Sequence, residues 1–283
     1  MPGFWKAAFT LPFLSYALIG ALLGSVASGI VGTYVVSRRI SYVAAAIAHF
    51  VLGGIGISRY LAVVYGLSWL KPFHGALGAS LVGAAIIACA EKLRIERQDT
   101  VIGAVWAVGM AAGIIAISAT PGYNEELVGY LFGNIFFITG LDLYFLACLD
   151  VLLILFLMLL YRPILCLCFD REWALLRGVP VTLLSTIFLC FTALTVVALV
   201  SMVGIVLVIA LLTFPAAIAS KVARTWKDMM IQAQIICLLL CVGGLWISYE
   251  LILPAGATIV GLAAVVYVAS LAASPIITRV KRR

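Results

Sequence analysis

Apolar runs recur along this chain, each near the roughly 20 residues that a helix needs to cross about 30 Å of hydrocarbon. They fall at 10–36, 40–65, 73–90, 100–119, 142–161, 180–200, 203–220, 229–250 and 256–274. Only 10% of the 283 residues are charged and 65% are hydrophobic, with a mean hydropathy of +1.25, whereas soluble domains carry roughly 25% charge. No water-soluble core could bury so much apolar surface. The pattern predicts an all-α, polytopic transmembrane bundle of about 8–9 spans forming a single domain over 1–283. The stretch 181–220 is so continuous that its second half, which contains Pro215, can be read as a broken or re-entrant helix. The start MPGFWKAAFTLPF offers one lysine and no small-residue cleavage pattern, so the first span is expected to insert the chain without a cleaved secretory signal.

The loops alternate in charge. Arg38 and Arg39, then Lys92, Arg94 and Arg97, then Arg162, Arg171 and Arg177, then Lys221, Arg224 and Lys227, and finally Arg279, Lys281, Arg282 and Arg283 all fall on one side. Of the 18 Lys and Arg, only Lys6, Arg59 and Lys71 lie elsewhere. The positive-inside rule makes the basic side the cytoplasm and places the C-terminus there. The formal charge of +7 is then topology rather than a nucleic-acid footprint, because it is spread over five loops. The opposite loops (SWLKPFH, TPGYNEE and LILPAGAT) are short and neutral or acidic.

A few residues stand out against the apolar background. Gly20, Gly24, Ser28 and Gly32 repeat at four-residue spacing on one face of the first span, which lets another helix approach closely. His49 lies within the second span, followed by Gly53, Gly54 and Gly56. An ionisable group at that depth is costly, and neutral imidazole is the commonest side-chain ligand of transition metals; a histidine satisfied by a neighbouring carbonyl is the other reading. Asp150 falls mid-span, where a lone carboxylate needs a partner, a cavity or a proton. Between them, ELVGYLFGNIFFITGLD is too short to span and suits a re-entrant or surface segment at the outer mouth, with Gly129, Gly133 and Asn134 lining a cavity. Seven cysteines lie mostly within apolar runs and read as free thiols, Cys166 and Cys168 among them as small packing groups.

The cytoplasmic connection CLCFDREWALLRGVPVT, 166–182, reads as a short helix. Asp170, Arg171 and Glu172 open it; Arg177 and the stop Gly178-Val179-Pro180 close it, an order the helix dipole favours. It is large enough to dock on a partner and transmit a push. No phosphate loop, zinc-protease helix or Ser/His/Asp order appears, so nucleotide energy would come from another subunit, and the chain is expected to catalyse no chemistry of its own.

The run from Leu11 through Gly54, with VVSRRIS and AHFVLGG, resembles the permease subunits of bacterial zinc, manganese and iron ABC importers. So do YLFGNIFFI at 130–138, FDREWALLRGV at 169–179, MVGIVLVIALLTFPAAIA at 202–219 and LPAGATIV at 253–260, in the family's order. The resemblance implies an importer with two cytoplasmic ABC ATPases, a second permease subunit, identical or homologous, and an extracytoplasmic metal-binding protein, set in the bacterial inner membrane. It implies a coupling loop at about 166–180, with Asp170, Arg171, Glu172, Arg177 and Gly178 against the ATPase. His49 would match the family's transmembrane metal-site histidine, with a divalent metal ion as cargo and no permanently bound cofactor. Four positions depart from the family pattern. Ala45 stands where an aspartate commonly precedes the histidine, Phe50 replaces an alanine, Gly53 replaces a proline, and Ile252 replaces an acidic residue. Altered metal coordination follows, with a different permease partner able to supply the aspartate.

Alternating access past His49 is the expected mechanism. A permease for chelated metal, siderophore or cobalamin shares the broad architecture, and a proton-coupled carrier using Asp150 is a reading of a different class. A docking-like helix at 169–179 argues against the carrier.

Overall fold

The computed structural model describes residues 4–67, 69–93, 98–121 and 138–281, without the side chains of 9 and 274–281. A short helix α1, Phe4–Thr10, leads into α2, Pro12–Ser37. There follow α3, Ser41–Val64; α4, Pro72–Leu93; α5, Gln98–Ser118; and α6, Gly140–Phe169. A one-and-a-half-turn helix α7, Arg171–Leu176, precedes α8, Val181–Val203; α9, Ile205–Val222; α10, Trp226–Leu251; and α11, Ala255–Lys281. Among the described residues, nine helices are long and apolar enough to cross a membrane, and none is interrupted by a strand.

Helix ends follow from local chemistry. Pro12 starts α2, where a missing N–H costs nothing. Thr139 and Asp142 form a reciprocal capping box on α6, and Thr225 and Asp228 do the same on α10, satisfying backbone donors that lipid would leave bare. The continuous apolar stretch 181–220 divides at Gly204, whose φ of 79° and ψ of 163° suit glycine alone. Pro215 sits inside α9 without ending it. The expected fifth span ends at 161, but α6 continues through Pro163 to Phe169, so Cys166 and Cys168 occupy its last turns instead of a loop. The proline is absorbed by a kink at Leu160, three residues earlier, where φ is −119° and ψ is 22°.

The helices α2, α8 and α9 form the interior, and α5, α6 and α11 the periphery. Large side chains such as Val151, Leu155 and Met158 of α6 and Val265 and Val268 of α11 face outward. Exposed apolar surface on this scale is a lipid or subunit face, because hydrocarbon and not water is the solvent.

Small residues set how closely the interior packs. A Cβ on Gly20 would meet Met202 at 2.7 Å, one on Gly24 would meet Leu199 at 3.1 Å, and one on Gly32 would strike the Leu212 carbonyl. Ser28, on the same helix, is buried. Around α3 the contacts are backbone on backbone. A Cβ on Gly53 would sit 2.7 Å from the Gly109 carbonyl of α5, and one on Gly56 would sit 2.7 Å from the Gly113 carbonyl. Gly54 meets Gly75 of α4 in the same way. Helices α3, α4 and α5 therefore form one closely joined unit.

Candidate transport pathway and cytoplasmic coupling face

His49 is the ninth residue of α3, about 12 Å from its N-terminal end, the end that follows the basic Arg38-Arg39 turn, and on that side of the helix midpoint. Its ring stacks on Trp106 of α5, with centroids 4.7 Å apart and planes at 12°. The imidazole is half-buried, and its buried Nδ1 has no hydrogen-bond partner. The close approach of α5 that places Trp106 there depends on the glycine contacts one and two turns beyond His49. Ala45, one turn before, is buried and offers no ligand atom.

Asp150, on α6, is buried, and neither of its carboxylate oxygens has a hydrogen-bond partner. Helix α6 packs chiefly against α2 and α8, whereas His49 stacks on α5. The two ionisable groups thus belong to different helix seams. Ser28 of α2 and Thr195 of α8 are likewise buried with unpartnered hydroxyls. Asn134, with Glu125 and Glu126, lies outside the described residues.

A cavity of about 660 Å³ opens between α4, α6 and α8, at the end opposite the basic loops, lined by Lys71, His74, Asp142, Tyr144 and Ser201 among others. His74 Nδ1 accepts the Lys71 backbone N–H at 3.2 Å. Among the described residues, no three His, Cys, Asp or Glu side chains come together as a metal cage.

The helix between α6 and α8 is built by its own ends. Asp170 caps α7 by accepting the Trp173 N–H at 2.9 Å. At the other end the Gly178 and Val179 N–H groups donate back to Leu175 and Ala174 at 3.0 Å, which needs the left-handed φ of 73° at Gly178. Ala174 faces the bundle, while Phe169, Trp173, Leu175 and Leu176 are exposed. The Arg177 guanidinium lies 4.7 Å over the Trp173 ring, and Glu172 is exposed.

Arg171 turns inward. Its Nη1 donates to Glu91 Oε1 at 2.5 Å. The same oxygen accepts Arg38 Nη2 at 3.2 Å, and Glu91 Oε2 accepts Ser185 Oγ at 2.8 Å. Arg38 Nη1 also donates to the Leu167 carbonyl at 3.1 Å, in the last turns of α6. No local pattern marks Glu91 or Ser185 for a role, and Arg38 stands out in the sequence only as one of the basic residues that set topology. Glu91 sits beside Lys92 at a span end, which looks like an ordinary solvated terminus, and its partners come from 53, 80 and 94 residues away.

Residues 10–274 match the profile of the ABC 3 transport family. The chain belongs to that family. It is 38% identical over 265 residues to an uncharacterised membrane protein of Synechocystis, covering 94% of this chain and 92% of that one. It is 30% identical over 271 residues to the manganese import system permease protein ScaB of Streptococcus gordonii, covering 96% and 95%. The solved structure of PsaBC from Streptococcus pneumoniae, in complex with Fab, superposes with a TM-score of 0.81 at 30% identity over 94% of each chain. An inward-facing putative metal-chelate type ABC transporter shares the fold at 16% identity, with a TM-score of 0.71 over 94% of this chain and 87% of that one. This ABC 3 chain is thus a multi-pass membrane protein of a metal-permease family.

Proposed function

We propose that this chain is the membrane-spanning permease of an ATP-driven importer that carries a divalent transition metal ion into a bacterial cell, with its C-terminus in the cytoplasm. It works with a cytoplasmic ABC ATPase, an extracytoplasmic metal-binding protein and a second permease subunit. Among zinc, manganese and iron, manganese is favoured, because permeases named for manganese import align along almost the whole chain.

One observation carries the reading: a histidine at membrane depth whose buried Nδ1 has no hydrogen-bond partner. An imidazole nitrogen left unsatisfied in a low-dielectric site is available to a cation, and a single such ligand binds weakly enough to let the ion leave. The metal enters at the outer face, passes His49 and is released when the ATPase, seated on the exposed face of α7, drives closure. Asp170, Glu172, Arg177 and the apolar Trp173, Leu175 and Leu176 form that seat. Gly178 holds the end of α7 in shape, and Arg171 turns inward to Glu91.

Uptake of manganese, zinc and iron in cells carrying the chain with its ATPase and binding protein tests the reading. His49→Ala is expected to lower uptake of one metal about tenfold or more with the complex still assembled. Equal uptake by wild type and variant would remove His49 from the path.

A further inference from the structure

We propose that Glu91 is the positioning residue that ties the coupling helix α7 to the helix carrying His49, so that motion of α7 reaches the metal path through one carboxylate. The inference rests on the permease reading above and deepens it.

Helix α7 is only six residues long; its cap and its end are local hydrogen bonds, and Ala174 packs it onto the bundle without a polar contact. One side chain of α7 reaches across to a distant part of the bundle: Arg171, to Glu91. Glu91 is in the last turn of α4, and its other oxygen holds Ser185 in the first turns of α8. Its first oxygen is shared with Arg38, which lies in the turn between α2 and α3, just before the start of α3 and so a little beyond the about 12 Å that separates that start from His49. Since α3 and α4 meet backbone to backbone at Gly54 and Gly75, a force applied at Glu91 is delivered to α3 by two routes, through Arg38 below and the glycine contact above.

Electrostatics make the link depend on charge as well as on shape. Two guanidinium groups share one oxygen, and without the negative charge between them they would repel. The Glu91 and Arg38 side chains are 14% and 15% exposed, so solvent screens the cluster poorly, while Arg171, at 36%, stands at its open edge. Arg38 also grips the Leu167 carbonyl just before α7, so the turn between α2 and α3 is fastened to both sides of the coupling connection. Breaking the cluster should leave α7 docked on the ATPase but mechanically slack.

The test uses the complete transporter in proteoliposomes, reading metal taken up per ATP hydrolysed. Glu91→Gln keeps the shape and removes the charge; Arg171→Met keeps much of the stem and removes the guanidinium. Each is expected to lower the ratio about fivefold or more, the scale of a lost coupling between sites, while hydrolysis continues. The double variant should be no worse than either single, because both break the same link, and Arg171→Lys should restore part of the ratio. A merely structural role would lower uptake and hydrolysis together and leave the ratio alone. An unchanged ratio in Glu91→Gln, or losses that multiply in the double, would overturn the link while leaving the permease reading intact. Should Glu91→Gln fail to assemble, Arg171→Met, at the open edge, reads the same ratio. Wild-type transporter without ATP-driven uptake would sink the permease reading, and the link with it.

Discussion

At the scale of single residues, the membrane interior makes unsatisfied polar atoms expensive, and this chain keeps several. Asp150, on the helix α6 that packs against α2 and α8, has two unpartnered oxygens, and the hydroxyls of Ser28 and Thr195 are also buried and unpartnered. A group that costs stability and persists is a functional candidate by default. Replacing Asp150 with valine removes the unpaired carboxyl, and is expected to raise thermal stability in detergent by about 1–3 kcal/mol while lowering uptake. Stability gained with uptake unchanged would reduce Asp150 to a packing defect. His49 differs in being only half-buried and stacked on an indole, so its ring is held in orientation without its Nδ1 being consumed. Ala45→Asp would set a carboxylate one helical turn away, on nearly the same face, and is expected to tighten metal binding at this site, read as slower release and a lower apparent KM for uptake.

At the scale of elements, glycine position decides how rigid the unit around His49 is. Gly53 of α3 meets a backbone carbonyl that cannot swing aside, whereas Gly78 of α4 and Gly103 of α5 have nothing within 4 Å of an added Cβ. Gly53→Ala is therefore expected to destabilise the purified protein by about 1–3 kcal/mol through overpacking, while Gly78→Ala and Gly103→Ala are neutral or stabilising by about 0.5–1 kcal/mol. Thermal unfolding of the three variants in detergent separates close packing from helix propensity. The spans themselves were legible in the sequence because hydropathy and length suffice to place a helix in a bilayer. The glycines of α3 were visible too, but which helix each one meets is a tertiary fact. The run of α6 past Arg162 and Pro163 was not legible, since those residues ordinarily end a helix and only the kink at Leu160 lets it continue. Glu91 was invisible for the same kind of reason: an ion cluster assembled from a turn, a span end, a loop helix and a distant span has no local pattern.

At the scale of the whole molecule, the position of His49 bears on assembly. The interior of the single chain is filled by α2, α8 and α9, while α3 and α5 place His49 and Trp106 on a face that is still partly open, with Trp106 37% exposed. A path running past His49 therefore needs a second wall, and a second permease subunit meeting this chain along α5 would provide one. Met110, one turn beyond Trp106 on α5 and 37% exposed, would lie in that contact, whereas Leu155 of α6 and Val268 of α11 would face lipid. With the exposed Cys89 and Cys148 replaced by serine, Met110→Cys is expected to form a crosslink between permease subunits with a short thiol reagent in membranes, and Leu155→Cys and Val268→Cys are not. Crosslinking through α6 or α11 instead would put His49 against lipid, where an unpartnered imidazole nitrogen has no aqueous route to a metal ion, and would move the pathway to the seam that holds Asp150.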